Sequence, residues 1–292
     1  MQIAIYARNI DEVLLPKLKT FFASLVEYGF EIYVYGELLN HLKKEFQYTP
    51  SYSGFFSSYA DLNPGIDFLI SIGGDGTFLD TLSLVRDSKI PVIGINSGKL
   101  GFLASISKEN ILEAVESLYK GNYIIEERTL LQFNSEDEIF GEFNYALNDI
   151  SIQKKSSEMI TVHTYIDDEF LNTYWADGLI VATPTGSTAY SLSVGGPIVV
   201  PDSNDFIISP ISPHNLTVRP IVIPDKGKIT LVPAGRCSKY LVSMDHYHKV
   251  VDKGYTFHIQ KADFSMHVLR LGTTNYYSTL RNKLMWGMDK RN

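Results

Sequence analysis

The first hundred residues alternate short apolar runs with amphipathic segments. Such runs predict β-strands, and segments with an apolar position every three or four residues predict helices. We predict strands at residues 3–7, 30–35, 68–72 and 91–96, and helices at residues 18–28 and 38–45. Strands that alternate with helices are typical of a parallel sheet covered on both faces, in which ligands bind at the carboxyl ends of the strands.

Three later stretches complete the predicted secondary structure. Residues 48–63 are polar, aromatic and turn-rich, and they predict a long loop of the kind that often serves binding. Ser107 is the predicted N-cap of a helix that ends at Gly121. Beyond Tyr123, turn-forming residues separate closely spaced short strands up to about Arg270, which predicts an antiparallel β-rich domain.

We therefore expect two domains. Residues 1–104 should form an α/β domain with a parallel sheet, and residues 105–271 should form a β-rich domain. The tail at residues 272–292 has a helical pattern, and we expect it to pack back on the first domain. Its basic residues are Arg281, Lys283, Lys290 and Arg291.

Composition narrows the class of protein. The chain has 292 residues, of which 45% are hydrophobic and 20% charged, as in globular proteins. Its net charge of -7 argues against nucleic acid as the main partner. The lone Cys237 excludes a disulfide within the chain and fits a cytoplasmic location. The N-terminus has no signal-peptide pattern, and no apolar run is long enough to span a membrane.

A glycine-rich segment, Gly73-Gly74-Asp75-Gly76-Thr77, follows the third predicted strand. Glycines let backbone N–H groups approach a polyanion, and the helix predicted by the apolar spacing after Thr77 would add its positive N-terminal end. A carboxylate inside a phosphate-binding loop suggests phosphoryl transfer, with Asp75 as a base or as a group close to a metal ion. The alternative is an ordinary tight turn, since Asp and Gly are common in turns.

A second informative segment covers residues 175–197. A predicted strand at residues 179–182 enters the turn Thr183-Pro184-Thr185-Gly186, and Ser187 and Thr188 then stand at the start of a short helical run. Small hydroxyl residues at a helix N-terminus suit an anionic or hydroxyl-rich ligand. They are also common N-caps, which is the alternative interpretation.

Two pairs of polar residues are further candidates. Asn148-Asp149 follows a strand-like run, and an amide beside a carboxylate can hold a vicinal diol such as that of ribose, although an Asx turn is the commoner arrangement. His246 and His248 could share one face of a strand, but no third ligand stands at a spacing that a metal site would need.

Taken together, these motifs resemble those of the NAD kinase family. They appear in the order Gly73-Gly74-Asp75-Gly76-Thr77, Gly98-Lys99-Leu100-Gly101-Phe102-Leu103, Asn148-Asp149 and Asp177-Gly178 through Pro197. The first motif is shared with diacylglycerol and sphingosine kinases and with 6-phosphofructokinase. The long last segment is far more specific.

The resemblance implies a fold, a reaction and partners. The fold is an α/β domain followed by a β-rich domain, with the substrate in the crevice between them. The reaction moves the γ-phosphoryl of ATP to the 2′-hydroxyl of the adenosine ribose of NAD, with Mg²⁺ or another divalent metal, and gives NADP and ADP. The family commonly assembles as homodimers or homotetramers in which neighbouring subunits complete the sites. Neither a membrane nor nucleic acid is an expected partner.

The resemblance also implies site residues. Asp75 would be the catalytic base, and the phosphate-facing loop would contain Gly73, Gly74, Gly76 and Thr77. The residues implied to bind NAD are Asp75, Gly76, Phe102, Asn148, Asp149, Asp177, Thr188, Ala189, Tyr190, Ser191, Leu192 and Ser193. No protein ligand for the metal is assigned. The chain departs from the family where Asp149 stands in place of the usual Glu, and where His246-Tyr247 stands in place of Gly-Gln.

Two other functions stay open on the sequence. One is a lipid or sugar kinase that uses the same glycine-rich loop, although the chain shows no apolar segment suited to a lipid. The other is an NAD(P)-binding sensor without catalysis, against which the intact Asp75 argues.

Overall fold

The computed structural model describes residues 1–98, 101–272 and 275–287. Lys99 and Leu100 of the second motif, and Lys290 and Arg291 of the tail, lie outside the described residues. The chain forms two compact units, one made of residues 1–126 with 267–292 and the other of residues 127–266. No helix in the described ranges is long and apolar enough to cross a membrane.

The described parts of the chain contain helices and many short strands. The helices are α1 (Leu15–Glu27), α2 (Gly36–Phe46), α3 (Asp75–Val85), α4 (Ile111–Tyr119), α5 (Tyr190–Ser193) and α6 (Tyr276–Leu284). The strands are β1 (Gln2–Tyr6), β2 (Glu31–Tyr35), β3 (Gly54–Phe56), β4 (Phe68–Gly73), β5 (Val92–Asn96), β6 (Ile106–Ser107), β7 (Tyr123–Arg128), β8 (Leu131–Asn134), β9 (Tyr145–Ala146), β10 (Asp149–Lys154), β11 (Ile160–Ile166), β12 (Glu169–Ala176), β13 (Gly178–Ala182), β14 (Asp205–Ile211), β15 (Ile221–Pro224), β16 (Ile229–Ala234), β17 (Lys239–Met244), β18 (Tyr247–Asp252), β19 (Phe257–Lys261) and β20 (Met266–Leu271).

The first unit is built on an eight-stranded sheet in the order β3-β2-β1-β4-β5-β20-β7, with β6 paired to β5. Strands β1 to β5 pair in parallel, as the alternation of strands and helices predicts. All six residues of β4 are buried, which explains why its sequence is apolar apart from Ser71. Gly73 at the end of β4 pairs with Asn96 at the end of β5, so the loops that follow these two strands leave the same edge of the sheet.

Helix α4 belongs to this first unit. Its residues Ile111, Val115 and Leu118 are buried in the same apolar core as Leu18 and Phe21 of α1. The expected first domain ended at residue 104, whereas the first compact unit continues to residue 126. The difference arises because α4 buries its apolar face on the α/β core. The observed boundary lies close to the change to short strands after Tyr123.

Two local expectations were wrong. The stretch expected to be one long loop, residues 48–63, contains the short strand β3 and a 3₁₀ turn at Tyr59–Asp61. A three-residue strand is too short to show an alternating pattern, so tertiary pairing with β2 defines it. Ser107 makes no capping hydrogen bond, because a 3₁₀ turn at Lys108–Asn110 comes between it and α4.

The second unit consists of two six-stranded sheets with antiparallel pairing. Their orders are β15-β14-β13-β10-β17-β18 and β12-β11-β16-β19-β8-β9. One apolar core includes residues of both sheets, such as Ile150 and Val181 from the first and Val162, Leu231 and Ile259 from the second. The predicted α/β domain with a parallel sheet, followed by a β-rich domain, is therefore confirmed.

Candidate active site

The glycine-rich segment forms a tight turn between β4 and α3. Helix α3 begins at Asp75, with Gly74 as its N-cap residue, so only one residue separates the end of the strand from the start of the helix. A Cβ atom on Gly73 would lie 2.4 Å from Oγ1 of Thr77, so the strand meets the first turn of the helix too closely for a side chain. The arrangement points the unpaired N–H groups of a helix N-terminus at the carboxyl edge of the sheet, where an anion is stabilised.

The Asp75 carboxylate is held by the loop that follows β5. Its Oδ2 accepts a hydrogen bond from the N–H of Phe102 (2.9 Å), and its Oδ1 accepts from the N–H groups of Leu103 (3.1 Å) and Ala104 (3.0 Å). Successive backbone N–H groups that converge in this way form an anion-binding concavity. The loop therefore fixes the carboxylate in one orientation beside the first turn of α3.

Gly101 makes this close approach possible. A Cβ atom on Gly101 would lie 1.8 Å from Oδ1 of Asp75 and 2.5 Å from its Cγ, which is far inside van der Waals contact. Any side chain at this position would displace the carboxylate. The second glycine of the motif Gly98-Lys99-Leu100-Gly101-Phe102-Leu103 is therefore required by Asp75, which stands 26 residues earlier in the chain.

Lys283 of α6 also reaches Asp75. Its Nζ lies 3.4 Å from Oδ2 of Asp75 and 4.5 Å from the centre of the Phe102 ring. The side chains of Lys283 and Asp75 are 31% and 32% exposed. Lys283 belongs to the predicted basic tail but was not among the predicted site residues, because only the fold brings residue 283 back to residue 75.

A second cation contacts the start of α3. The guanidinium of Arg8 forms a fork with both carboxylate oxygens of Asp80, and the Tyr6 hydroxyl donates to Asp80 Oδ2 at 2.8 Å. Nη2 of Arg8 lies 3.4 Å from the carbonyl oxygen of Gly76. Burial, and then the hydrogen bond to Asp80, raises the pKa of Tyr6 above its usual range, so the phenol stays a donor. The cluster leaves no local pattern in the sequence, since its members are about 70 positions apart.

In the second unit, Asp245 organises the segment that precedes β10. Its Oδ1 accepts from the N–H groups of Asn148 (2.8 Å) and Asp149 (3.1 Å), and its Oδ2 accepts from the N–H of Leu147 (2.8 Å). Asp245 is partly exposed as a residue, but its carboxyl group lies deep among protein atoms. Asp245 was not among the predicted site residues. The signal that could have found it is the conspicuous Asp245-His246-Tyr247 turn at the end of β17.

Asp149 is a buried carboxyl group near the charge of Asp245. It is 6% exposed, and burial, reinforced by the nearby charge of Asp245, raises the pKa of Asp149 to about 7. Its carboxyl group accepts from one backbone N–H, that of Tyr190. Burial also raises the pKa of Asp245, but three backbone N–H donors oppose that effect and favour its charged form. The three N–H donors therefore favour the charged form of Asp245, whereas burial favours the neutral form of Asp149.

The segment after β13 packs directly on Asn148. The N–H of Thr183 donates to the carbonyl oxygen of Asn148 at 2.9 Å, and the Thr183 hydroxyl donates to that of Leu147 at 2.6 Å. A Cβ atom on Gly186 would lie 2.0 Å from the Asn148 carbonyl oxygen, so only glycine fits there. The structure thus brings Asn148 and Asp149 together with the run that begins at Thr183.

Members of that run differ in accessibility. Ser187 is buried and exchanges hydrogen bonds with the backbone of Val199, and Ser191 is buried with its Oγ 3.0 Å from that of Ser209. These hydroxyls serve the fold, and neither Ser187 nor Thr188 starts the helix, since both end a 3₁₀ turn at Thr185–Thr188. The predicted binding residues of this run that are at least partly exposed are Thr188, Ala189, Tyr190, Leu192 and Ser193.

Asp177 lies apart from Asn148 and Asp149. It joins β12 to β13, and its Oδ1 is 2.6 Å from Nζ of Lys154, at the far end of β10. Asp149 and Lys154 are five strand residues apart, which corresponds to about 16 Å. One copy of the chain therefore does not place Asp177 and Asp149 around the same small group.

Comparisons with known proteins agree with the motifs. Residues 3–123 match the family model of the ATP-NAD kinase N-terminal domain, and residues 147–271 match that of the ATP-NAD kinase C-terminal domain. The chain is 43% identical over 293 residues to an NAD kinase of Cytophaga hutchinsonii and 45% identical over 295 residues to one of Flavobacterium johnsoniae. Both alignments cover 100% of this chain and 100% of the relative.

Two solved structures share the fold. The crystal structure of yeast NADH kinase complexed with NADH superposes with a TM-score of 0.85 at 23% identity, covering 99% of this chain and 88% of that one. The structure of an NAD kinase from Archaeoglobus fulgidus in complex with ATP superposes with a TM-score of 0.74 at 25% identity, covering 98% of this chain and 99% of that one.

Proposed function

Because the chain belongs to the NAD kinase family, we propose that it transfers the γ-phosphoryl group of ATP to the 2′-hydroxyl of the adenosine ribose of NAD. The products are NADP and ADP. Relatives that match over the full length carry the name NAD kinase, so a lipid or sugar kinase and a sensor without catalysis are not favoured.

The observation that carries the proposal is the setting of Asp75. Its carboxylate stands at the first residue of α3 and is oriented by three backbone N–H groups. A ribose hydroxyl is a poor nucleophile, and a positioned carboxylate can accept its proton as the bond to phosphorus forms. Most of the rate enhancement in phosphoryl transfer comes from positioning and from neutralising phosphate charge, to which the N-terminus of α3 contributes.

Recognition of NAD is assigned to the second unit. The backbone of Asn148 is locked by Asp245 and Thr183, while its side chain makes no hydrogen bond to any residue within 1–98, 101–272 and 275–287. Its amide is therefore available for a ribose hydroxyl. Asp149, whose pKa burial raises to about 7, can donate a hydrogen bond in its neutral form and accept one in either form, which suits a neutral diol. Tyr190, with 39% of its surface exposed, offers a ring face beside it.

A divalent metal ion fits the donor set only in part. The described residues contain no group of three or more His, Cys, Asp or Glu side chains that could hold a metal ion. Asp75, within the glycine-rich loop, is partly exposed and accepts from three backbone N–H groups, and Asp80 is engaged by Arg8 and Tyr6. Mg²⁺ usually binds through substrate phosphates, waters and one or two carboxylates. We therefore propose that the ion binds to the triphosphate of ATP, where it would neutralise phosphate charge, and we assign it no protein ligand.

Assembly and location complete the proposal. The separation of Asp177 from Asp149 supports a homodimer or homotetramer, in which Asp177 of one copy serves the site of another. The single, buried Cys237 supports action in the reducing cytoplasm.

The test is a coupled assay of NADP formation. Purified protein is incubated with NAD or NADH, with ATP and Mg²⁺, and NADP is measured with an NADP-specific dehydrogenase. Asp75→Asn should lower turnover about 10²–10⁴-fold, as expected when a general base is removed, while the protein stays folded. Turnover of the variant equal to that of the parent would refute the role of Asp75. ATP use with lipids or sugars but not with NAD would refute the function itself.

A further inference from the structure

The four acceptor positions of Asp75 are all occupied. An ionised carboxylate has about four lone-pair positions, two on each oxygen. Oδ1 accepts from Leu103 and Ala104, and Oδ2 accepts from Phe102 and from Nζ of Lys283. The three backbone donors belong to one loop, and Lys283 is the donor that a side chain supplies. A substrate hydroxyl that is to give its proton to Asp75 needs the position that Lys283 holds.

The Lys283 side chain can leave while its helix stays in place. Helix α6 is anchored by Leu280, which is 3% exposed, and by its N-cap Asn275, whose Oδ1 accepts from the N–H of Ser278 at 2.8 Å. The lysine head is held by a 3.4 Å ion pair and by the face of Phe102, and both partners of the ion pair are partly exposed. Exposed ion pairs are weak, and lysine has a long flexible stem. A stronger anion nearby would therefore attract the lysine away from Asp75.

We propose that Lys283 is a positioning residue that exchanges partners during the reaction. Without ATP it occupies Oδ2 of Asp75. When ATP binds at the N-terminus of α3, the ammonium group moves to the triphosphate and frees Oδ2 for the ribose hydroxyl. This inference rests on the proposed function, because it takes Asp75 as the group that receives the hydroxyl. In this scheme NAD binds with its full affinity only when ATP is bound.

The consequence is a measurable coupling between the two nucleotides. A ligand that removes Lys283 from Asp75 should tighten NAD binding, and by linkage NAD should tighten ATP binding by the same factor. The experiment measures the dissociation constant of NAD by calorimetry, with and without a saturating non-hydrolysable ATP analogue and Mg²⁺. In the parent protein we expect the analogue to tighten NAD binding about fivefold or more, the lower end of usual coupling between sites.

Variants then test whether the coupling depends on Lys283 itself. In Lys283→Gln the coupling should fall below about twofold, and NAD should bind without the analogue as tightly as it binds the parent with it. Lys283→Arg keeps the charge and should keep the coupling. Arg281→Gln removes one positive charge from the same helix at an exposed position and is the matched control, with the coupling of the parent. Asp75→Asn breaks the ion pair from the other side and should also lower the coupling.

The outcomes are decisive. Parent-like coupling in Lys283→Gln, or equal losses in Lys283→Gln and Arg281→Gln, would overturn the inference. If Lys283→Gln fails to fold, as shown by its melting temperature, unchanged coupling in Asp75→Asn overturns it instead. The proposed function fails in a different way: the parent protein would bind both nucleotides without forming NADP, and the coupling would still be measurable.

Discussion

Asp149→Asn should make the second unit more stable at neutral and alkaline pH. The side chain is 6% exposed, and its pKa is raised to about 7 by burial first and by the charge of Asp245 second. The substitution keeps the shape and removes the charge. Oδ1 of the new amide can still accept the N–H of Tyr190, so the one backbone hydrogen bond to this position is kept.

The magnitude follows from linkage between protonation and folding. The unfolded chain releases the Asp149 proton near the ordinary value of 3.8, and the folded chain releases it near 7. Between these values the folded state holds more protons, so its stability falls as the pH rises. At 1.36 kcal/mol for each pH unit, the loss reaches about 4 kcal/mol above pH 7. Asp149→Asn should escape this loss, since its amide does not titrate.

The assay is urea unfolding followed by tryptophan fluorescence at pH 5, 6, 7 and 8. The chain has two tryptophans, so a Trp286→Phe background leaves Trp175 as the reporter of the second unit. Other carboxylates also titrate in acid, so the quantity to compare is the variant's free energy of unfolding minus that of the parent. This difference should rise by about 1.4 kcal/mol per pH unit from pH 5 to pH 7 and then level off.

This prediction can be refuted, and it has a matched control variant. Asp202→Asn removes a carboxylate charge from an exposed turn of the same unit, and its difference from the parent should change little over the pH range. A flat difference for Asp149→Asn as well would show that Asp149 is charged in the folded protein at neutral pH.

Three further substitutions test one predicted contact in the first unit and two in the second. Gly101→Ala should abolish most NADP formation while the β-rich unit stays folded, because the Cβ of the new alanine would lie 1.8 Å from Oδ1 of Asp75. Full activity of this variant in the coupled assay would contradict this geometry. Asn148→Ala should weaken NAD binding by about 0.5–1.5 kcal/mol, the value of one hydrogen bond, and leave ATP binding unchanged, as titration of each nucleotide can verify. Asp177→Asn should raise the Michaelis constant for NAD, while loss of the partly exposed pair with Lys154 should cost less than about 1 kcal/mol of stability. A lower melting temperature with an unchanged Michaelis constant would make Asp177 purely structural.

The architecture and the family could be predicted from the sequence alone. Apolar runs of four to six residues and helical spacing are local properties, so the alternation around β4 and α3 and the switch to short strands could be read directly. The motif around Asp75 and the run after Asp177 identified the family, which the family models and relatives confirm. These features depend on neighbours within about twenty positions.

The groups that hold the site residues in place could be identified only from the folded structure. Asp245 binds the backbone of residues 147–149 from almost a hundred positions away, and Lys283 reaches Asp75 across 208 positions. The same limit applies to helix α4, whose place in the first unit depends on the core it covers. Hydrogen bonds and ion pairs between distant residues leave no periodic trace in a sequence, because they are set by how strands are ordered in a sheet and where each loop leaves its edge.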